Sequence, residues 1–251
     1  MKFKDYLTEM LHLDFIEKTD LEKAKDVLID KCKGQNFEMP LWRGMRDTGE
    51  TALLHGKKVD RVSKDGNNLH TLMFAQTFKK NMLPLRHKAI ITYSNKGKPY
   101  AKGYGKLYAI FPYNTANIGI CKTNDVLNDM NTKYNKTIEE LNYGISDLFK
   151  FDGKFKELSE VKDAIKNAKE KGFGNNDLDD IFTDELLNSD VATIYDVIVD
   201  LYDPKYFQFK RTVIKNYKDT TPTGQELWFS DTCVAIRVDV WEKLVEEGFK
   251  L

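Results

Sequence analysis

Three short fragments, far apart in the chain, each set a polar side chain on or beside an apolar run. Leu41-Trp42-Arg43-Gly44-Met45 offers an arginine whose planar fork of donors fits a pyrophosphate or a ribose. The glycine beside it lets backbone come close. Thr92-Tyr93-Ser94 ends the run Ala89-Ile90-Ile91, and strand alternation would put Thr92 and Ser94 on one face, where two small hydroxyls can hydrogen-bond a ribose. Gln225-Glu226-Leu227-Trp228-Phe229 places a carboxylate among apolar side chains, which is costly unless the group has a partner or a task. In order, arginine, hydroxyl and carboxylate read as parts of one nucleotide-binding cleft. Each also has a plainer reading: a surface arginine at a strand end, hydroxyls opening the turn Ser94-Asn95-Lys96-Gly97, and an edge-strand glutamate facing water.

Strands would have to hold these side chains. Ala89–Tyr93, Leu107–Phe111, Ile118–Cys121, Gln208–Ile214, Glu226–Phe229 and Cys233–Val238 are short, rich in β-branched and aromatic residues, and separated by Gly, Pro or Asn. Polar, turn-rich sequence fills the stretch from Met45 to Asn68. Helical spacing recurs at Leu7, Met10, Leu11 and Phe15, then at Leu21, Ala24, Val27, Leu28 and Cys32, with Thr19-Asp20 placed to cap the second stretch. It returns over Leu69–Phe78, Val126–Met130, Ile138–Leu148, Leu158–Ala168, Ile194–Leu201 and Val240–Glu247. Strands flanking a block of helices without regular βα alternation predict an α+β fold. The expected architecture is an N-terminal helical extension over residues 1–36, then a split, mostly antiparallel sheet over 37–251 with a helical insertion at about 125–203. A split sheet leaves a cleft between its halves, where a dinucleotide can lie.

Composition narrows the function classes. The 251 residues are 41% hydrophobic and 31% charged, with 15 Gly and 6 Pro, the balance of a folded chain. Thirty-nine basic and 39 acidic residues cancel, so no global field draws the protein to nucleic acid or anionic membrane. Lys79-Lys80 and Lys96-Gly97-Lys98 are too sparse to predict nucleic acid. No apolar run reaches bilayer length, and the N-terminus carries charges where a signal peptide needs an apolar core. Cys32, Cys121 and Cys233, odd in number and widely spaced, read as reduced, mostly buried thiols of a cytosolic protein. His12, His55, His70 and His87 show no metal-ligand spacing. Asp177-Leu178-Asp179-Asp180 lacks the glycine of a calcium loop.

In order and spacing the fragments resemble the Arg–Ser–Glu constellation of the mono-ADP-ribosyltransferase superfamily. More narrowly, Pro84-Leu-Arg86-His-Lys-Ala-Ile-Ile-Thr-Tyr-Ser94, then Ala101-Lys-Gly-Tyr-Gly-Lys-Leu-Tyr-Ala-Ile-Phe, then Ile118-Gly-Ile-Cys121 look like a family of uncharacterised proteins from large tailed bacteriophages. The likeness covers residues 40–125 best and the Glu226 region loosely. It implies NAD as substrate, with no metal needed. Arg43 and Gly44 would hold phosphate and ribose, Thr92 and Ser94 would orient the nicotinamide ribose, and Tyr104 would stack on nicotinamide. Glu226 would be the catalytic carboxylate.

Two departures stand out. Thr-Tyr-Ser replaces Ser-Thr-Ser, and Gly224 stands where arginine-modifying transferases carry a second glutamate; either Gln225 or an acid, on the helical insertion or at Asp219 in the preceding loop, would have to substitute. The implied function is transfer of ADP-ribose from NAD to a host macromolecule during phage infection, in the host cytoplasm or from a packaged virion copy. Two alternatives accompany it: an NAD glycohydrolase using water on the same site, and a virion or assembly protein that keeps the fold without the activity.

Overall fold

The computed structural model describes residues 15–59, 67–128, 134–175, 177–218 and 224–251. The expected helix through Leu7, Met10 and Leu11, the Met130 end of the Val126 segment, and Asp219 lie outside them. The chain forms two compact units, each assembled from separated segments. Residues 1–61, 83–124 and 209–251 make a sheet unit, and residues 62–82 and 125–208 make a helical one.

The sheet unit holds every strand among the described residues. They are β1 (Ile16–Thr19), β2 (Leu41–Met45), β3 (Thr51–His55), β4 (Ile90–Tyr93), β5 (Lys106–Pro112), β6 (Asn117–Ile120), β7 (Lys210–Val213), β8 (Glu226–Phe229) and β9 (Thr232–Arg237). Their order is β1-β3-β9-β5-β2-β4-β8-β6-β7. Every neighbouring pair is antiparallel. The fold is therefore α+β with a large antiparallel sheet. Both faces of the sheet are apolar. Leu41, Met45, Ile90, Ile110, Leu227 and Phe229 belong to the core on one face. Trp42, Tyr93, Ala109, Phe111, Val234 and Ile236 belong to the core on the other, which takes in Leu28 of α1 (Leu21–Lys31) and Leu244 of α8 (Val238–Glu246). Two-sided burial explains why β4, β8 and β9 read as continuous apolar runs instead of alternating ones.

The sheet is continuous but unevenly joined. β2 pairs with β5 from Leu41↔Ile110 to Met45↔Lys106, and β4 pairs with β8 from Ile90↔Phe229 to Tyr93↔Glu226. Between β2 and β4 the only paired residues are Trp42↔Tyr93. Instead of the expected split into two halves with a cleft between them, the described strands form one nine-stranded sheet, joined most sparsely at the β2–β4 seam.

The helical unit contains α2 (Leu69–Lys80), α4 (Ile138–Phe149), α5 (Leu158–Lys171), α6 (Asp184–Asn188) and α7 (Val191–Leu201). Local capping sets several starts: Thr137 and Glu140 form a reciprocal capping box on α4, and Asp190 accepts from the Thr193 amide at 2.7 Å on α7. Phe74 packs edge-on against Tyr202 and Phe207, with ring centroids 5.6 Å away in each case.

Three local expectations are corrected. Residues 16–19 form an edge strand on β3, not a continuation of helix, and Asp20 caps α1 through a 2.8 Å bond from the Lys23 amide. The described part of residues 1–36 therefore packs within the sheet unit. The turn-rich stretch after Met45 contains β3, which pairs with β9 over five residues. Residues 126–128 form a turn where helix was expected. Among the described residues, no helix is long and apolar enough to cross a membrane.

Candidate functional site

The three chemistry-bearing fragments occupy consecutive strands, β2, β4 and β8. Trp42 stands opposite Tyr93, and Tyr93 opposite Glu226, so these backbones cross the sheet in one row. Directly opposed residues share a face, and a step of one residue changes it. Glu226 therefore lies on the face of Trp42, Tyr93 and Trp228. Arg43, Thr92 and Ser94 alternate onto the opposite face. The structure brings the three strands together and divides the polar groups between two sides.

Arg43 is 7% exposed, which removes the surface reading. Its guanidinium donates to the carbonyl of Ile91, a β4 residue beside the seam. Arginine thus bridges the place where the β2–β4 ladder stops. Arg43→Ala is expected to lower stability by about 1–3 kcal/mol, because a buried carbonyl loses its donor. A denaturation midpoint equal to wild type would show that this bond contributes nothing. Gly44 also serves the fold: a Cβ there would lie 1.9 Å from the Ala101 carbonyl oxygen. The backbone that approaches it is α3 (Lys98–Lys102).

Thr92 and Ser94 are fully buried. Thr92 Oγ1 donates to the Leu227 carbonyl at 3.2 Å, tying β4 to β8. Ser94 Oγ accepts from the Gln225 amide at 2.9 Å, and the Ser94 amide donates to the Gln225 carbonyl at 2.8 Å. The Gly97 amide then donates to the Ser94 carbonyl at 2.8 Å, so Ser94 also opens the turn that its sequence suggested.

Glu226 is 5% exposed on a central strand, not an edge strand facing water. One carboxylate oxygen accepts from the indole Nε1 of Trp228, which fixes the orientation of the group. The Glu226 amide donates to Thr123 at 2.8 Å, and its carbonyl accepts from Cys121 at 2.9 Å. Trp228 packs on Phe209 with centroids 5.0 Å apart, and Arg86 lies over its ring at 5.6 Å. A cation, an indole and a carboxylate thus follow one another on this face.

Aromatic rings extend the same face. Tyr93 stacks with Tyr104 at 6.2 Å and with Tyr100 at 6.3 Å. Tyr100 and Tyr104 are 48% and 46% exposed. Reading residues singly missed Tyr100, Arg86 and Trp228. The available signal was register: Trp228 shares the face of Glu226 because the two are two positions apart on a strand.

A cavity of about 390 Å³ opens beyond the Ser94 end of β4, lined by Asn36, Leu41, Asn95, Ile110, Lys215 and Tyr217 among others. Tyr217 donates to the Gln225 side chain at 3.3 Å, which connects this cavity to the strand bearing Glu226. Arg43, Ser94 and Glu226 themselves do not line it. Thiol chemistry is disfavoured: Cys32, Cys121 and Cys233 are free and buried, and burial pushes the Cys32 thiol up to about 12 and raises Cys233 as well. Compared with models of protein families, with curated proteins and with solved structures, the chain matches none.

Proposed function

We propose that this protein cleaves the nicotinamide–ribose bond of NAD and transfers ADP-ribose to a host macromolecule during phage infection. The observation that carries the reading is the adjacency of β2, β4 and β8, which sets the Arg43, Ser94 and Glu226 fragments side by side, with Glu226 on the face opposite Arg43 and Ser94. Cleavage builds positive charge on the ribose. A carboxylate held in one orientation by an indole donor, within an apolar face, is suited to stabilise that charge. The half-exposed Tyr104 ring offers a stacking surface for nicotinamide. Arg43, turned into the seam, positions β4 against β2 instead of meeting the pyrophosphate, and Arg86 supplies a cation on the Glu226 side.

A second reading, a virion or assembly protein that keeps the fold without turnover, draws on a different observation: Arg43 and Glu226 each already bond a protein partner, from opposite faces. One experiment separates the readings. Purified protein is incubated with NAD labelled on the adenosine side and with host lysate, and both nicotinamide release and label transfer are followed. Release with transfer supports the transferase, release without transfer supports the glycohydrolase, and neither supports the inactive protein.

A further inference from the structure

The chain's zero net charge conceals strong segregation. Between Asp65 and Asp125 the sequence contains no aspartate or glutamate, yet it carries nine lysines and arginines. At the overall frequency of 39 acids in 251 residues, a stretch of that length would hold about nine acids. The most exposed part of this stretch is the segment Asn95–Lys106, Asn-Lys-Gly-Lys-Pro-Tyr-Ala-Lys-Gly-Tyr-Gly-Lys, where lysines and tyrosines interleave. Lys96, Tyr100, Lys102, Tyr104 and Lys106 are all exposed.

We propose that this segment binds single-stranded nucleic acid, with Tyr100 and Tyr104 stacking on unpaired bases and Lys96, Lys102 and Lys106 meeting phosphates. The platform is packed closely against β2 and β4. The carbonyl of Ala101 in α3 sits so close to Gly44 that no side chain fits between, and a Cβ on Gly97 would lie 2.7 Å from the Tyr93 Cβ. Both exposed rings lie nearly parallel to the buried Tyr93, with interplanar angles of 26° and 16°. Lys98 is already engaged, 4.3 Å from the Trp42 ring centre and 3.7 Å from Glu242, so it braces the platform. Among the described residues, Lys96 and Lys102 have no ion pair, and Lys106 has none within 4 Å but lies within electrostatic reach of Asp47. Phosphate attraction with sequence-tolerant stacking is how single strands are held, whereas a duplex keeps its base faces covered.

The proposal goes beyond NAD chemistry and is tested without NAD. A fluorescent single strand of about 12 nucleotides of mixed sequence is titrated with the whole protein and followed by anisotropy at low salt. Wild type is expected to prefer the single strand over the same sequence as duplex and over a polyglutamate peptide. Tyr100→Ala should weaken binding about ten- to a hundredfold, and Tyr100→Phe, which keeps the ring, should stay near wild type. Lys96→Glu with Lys102→Glu should weaken binding and flatten the salt dependence by about one unit of slope per lysine. These exposed positions leave the fold intact, which circular dichroism verifies. Absence of wild-type binding, equal binding of duplex or polyglutamate, or unchanged affinity in Tyr100→Ala would overturn the proposal.

Discussion

Glu226→Gln is expected to release nicotinamide from NAD at least about a hundredfold more slowly than wild type, the scale for losing one transition-state electrostatic contact. The substitution is chosen by the structure. Glutamine keeps a side-chain oxygen for the Trp228 indole N–H and nearly the same volume in a site that is 5% exposed. What it removes is the negative charge. Packing and charge are thereby separated: the melting temperature should change little while turnover collapses. Nicotinamide release by chromatography, alongside a thermal melt, reads both. A variant that melts and turns over like wild type would remove Glu226 from the chemistry and favour the structural role of its indole bond.

Gly224→Glu should destabilise the sheet unit by about 2–5 kcal/mol, lowering the melting temperature by on the order of 10 °C. It should not create an arginine-directed transferase. Gly224 has φ of +92°, which L side chains rarely adopt, and a Cβ there would lie 2.5 Å from the Gly97 amide nitrogen. Both terms are backbone effects that side-chain rotation cannot relieve. A second carboxylate two residues before Glu226 therefore has no room, and a guanidinium acceptor lacks a base at that position. Agmatine should accordingly stimulate wild-type nicotinamide release little. If Gly224→Glu melts with wild type and ADP-ribosylates agmatine, the steric argument fails.

Much of the sheet was legible because two-sided burial writes plain apolar runs: Ile90-Ile91, Leu107–Phe111 and Cys233–Ile236 announce strands without any partner being known. β1 and β3 were not legible. Ile16-Glu17-Lys18-Thr19 is a short edge strand whose single apolar residue also fits the helical spacing upstream, and β3 is five residues within polar sequence. For the site, residue types and their placement on or beside strands could be anticipated, but the adjacency of those strands and the facing of the side chains could not. Alternation within one strand is fixed by geometry, whereas the face relative to another strand depends on register, set by pairing across more than a hundred residues. Hence Glu226 and Ser94, expected in one cleft, stand back to back. Gly44 illustrates the same limit, since its type announces a close approach without naming what approaches. Net charge misled differently: an average over the chain cannot show that the acids avoid residues 66–124.

The single Trp42↔Tyr93 bridge has a consequence for how the sheet breathes. Cooperativity in a sheet passes along its ladders, and here the ladder between the two sides is one residue pair, supplemented by the Arg43 guanidinium, the Trp42–Asn95 hydrogen bond and the packing of α3 on both β2 and β4. On ladder pairing, β1-β3-β9-β5-β2, clasped by α1 and α8, and β4-β8-β6-β7 are expected to open with different free energies, although both apolar cores run across the seam. Native-state amide exchange should group β5 with β9 and β4 with β8 at two distinct opening energies; one shared value on both sides of Trp42 and Tyr93 would contradict this. Under the proposed function, such a joint would let one side loosen transiently while the other stays closed, so that the buried Glu226 could meet a large substrate without global unfolding.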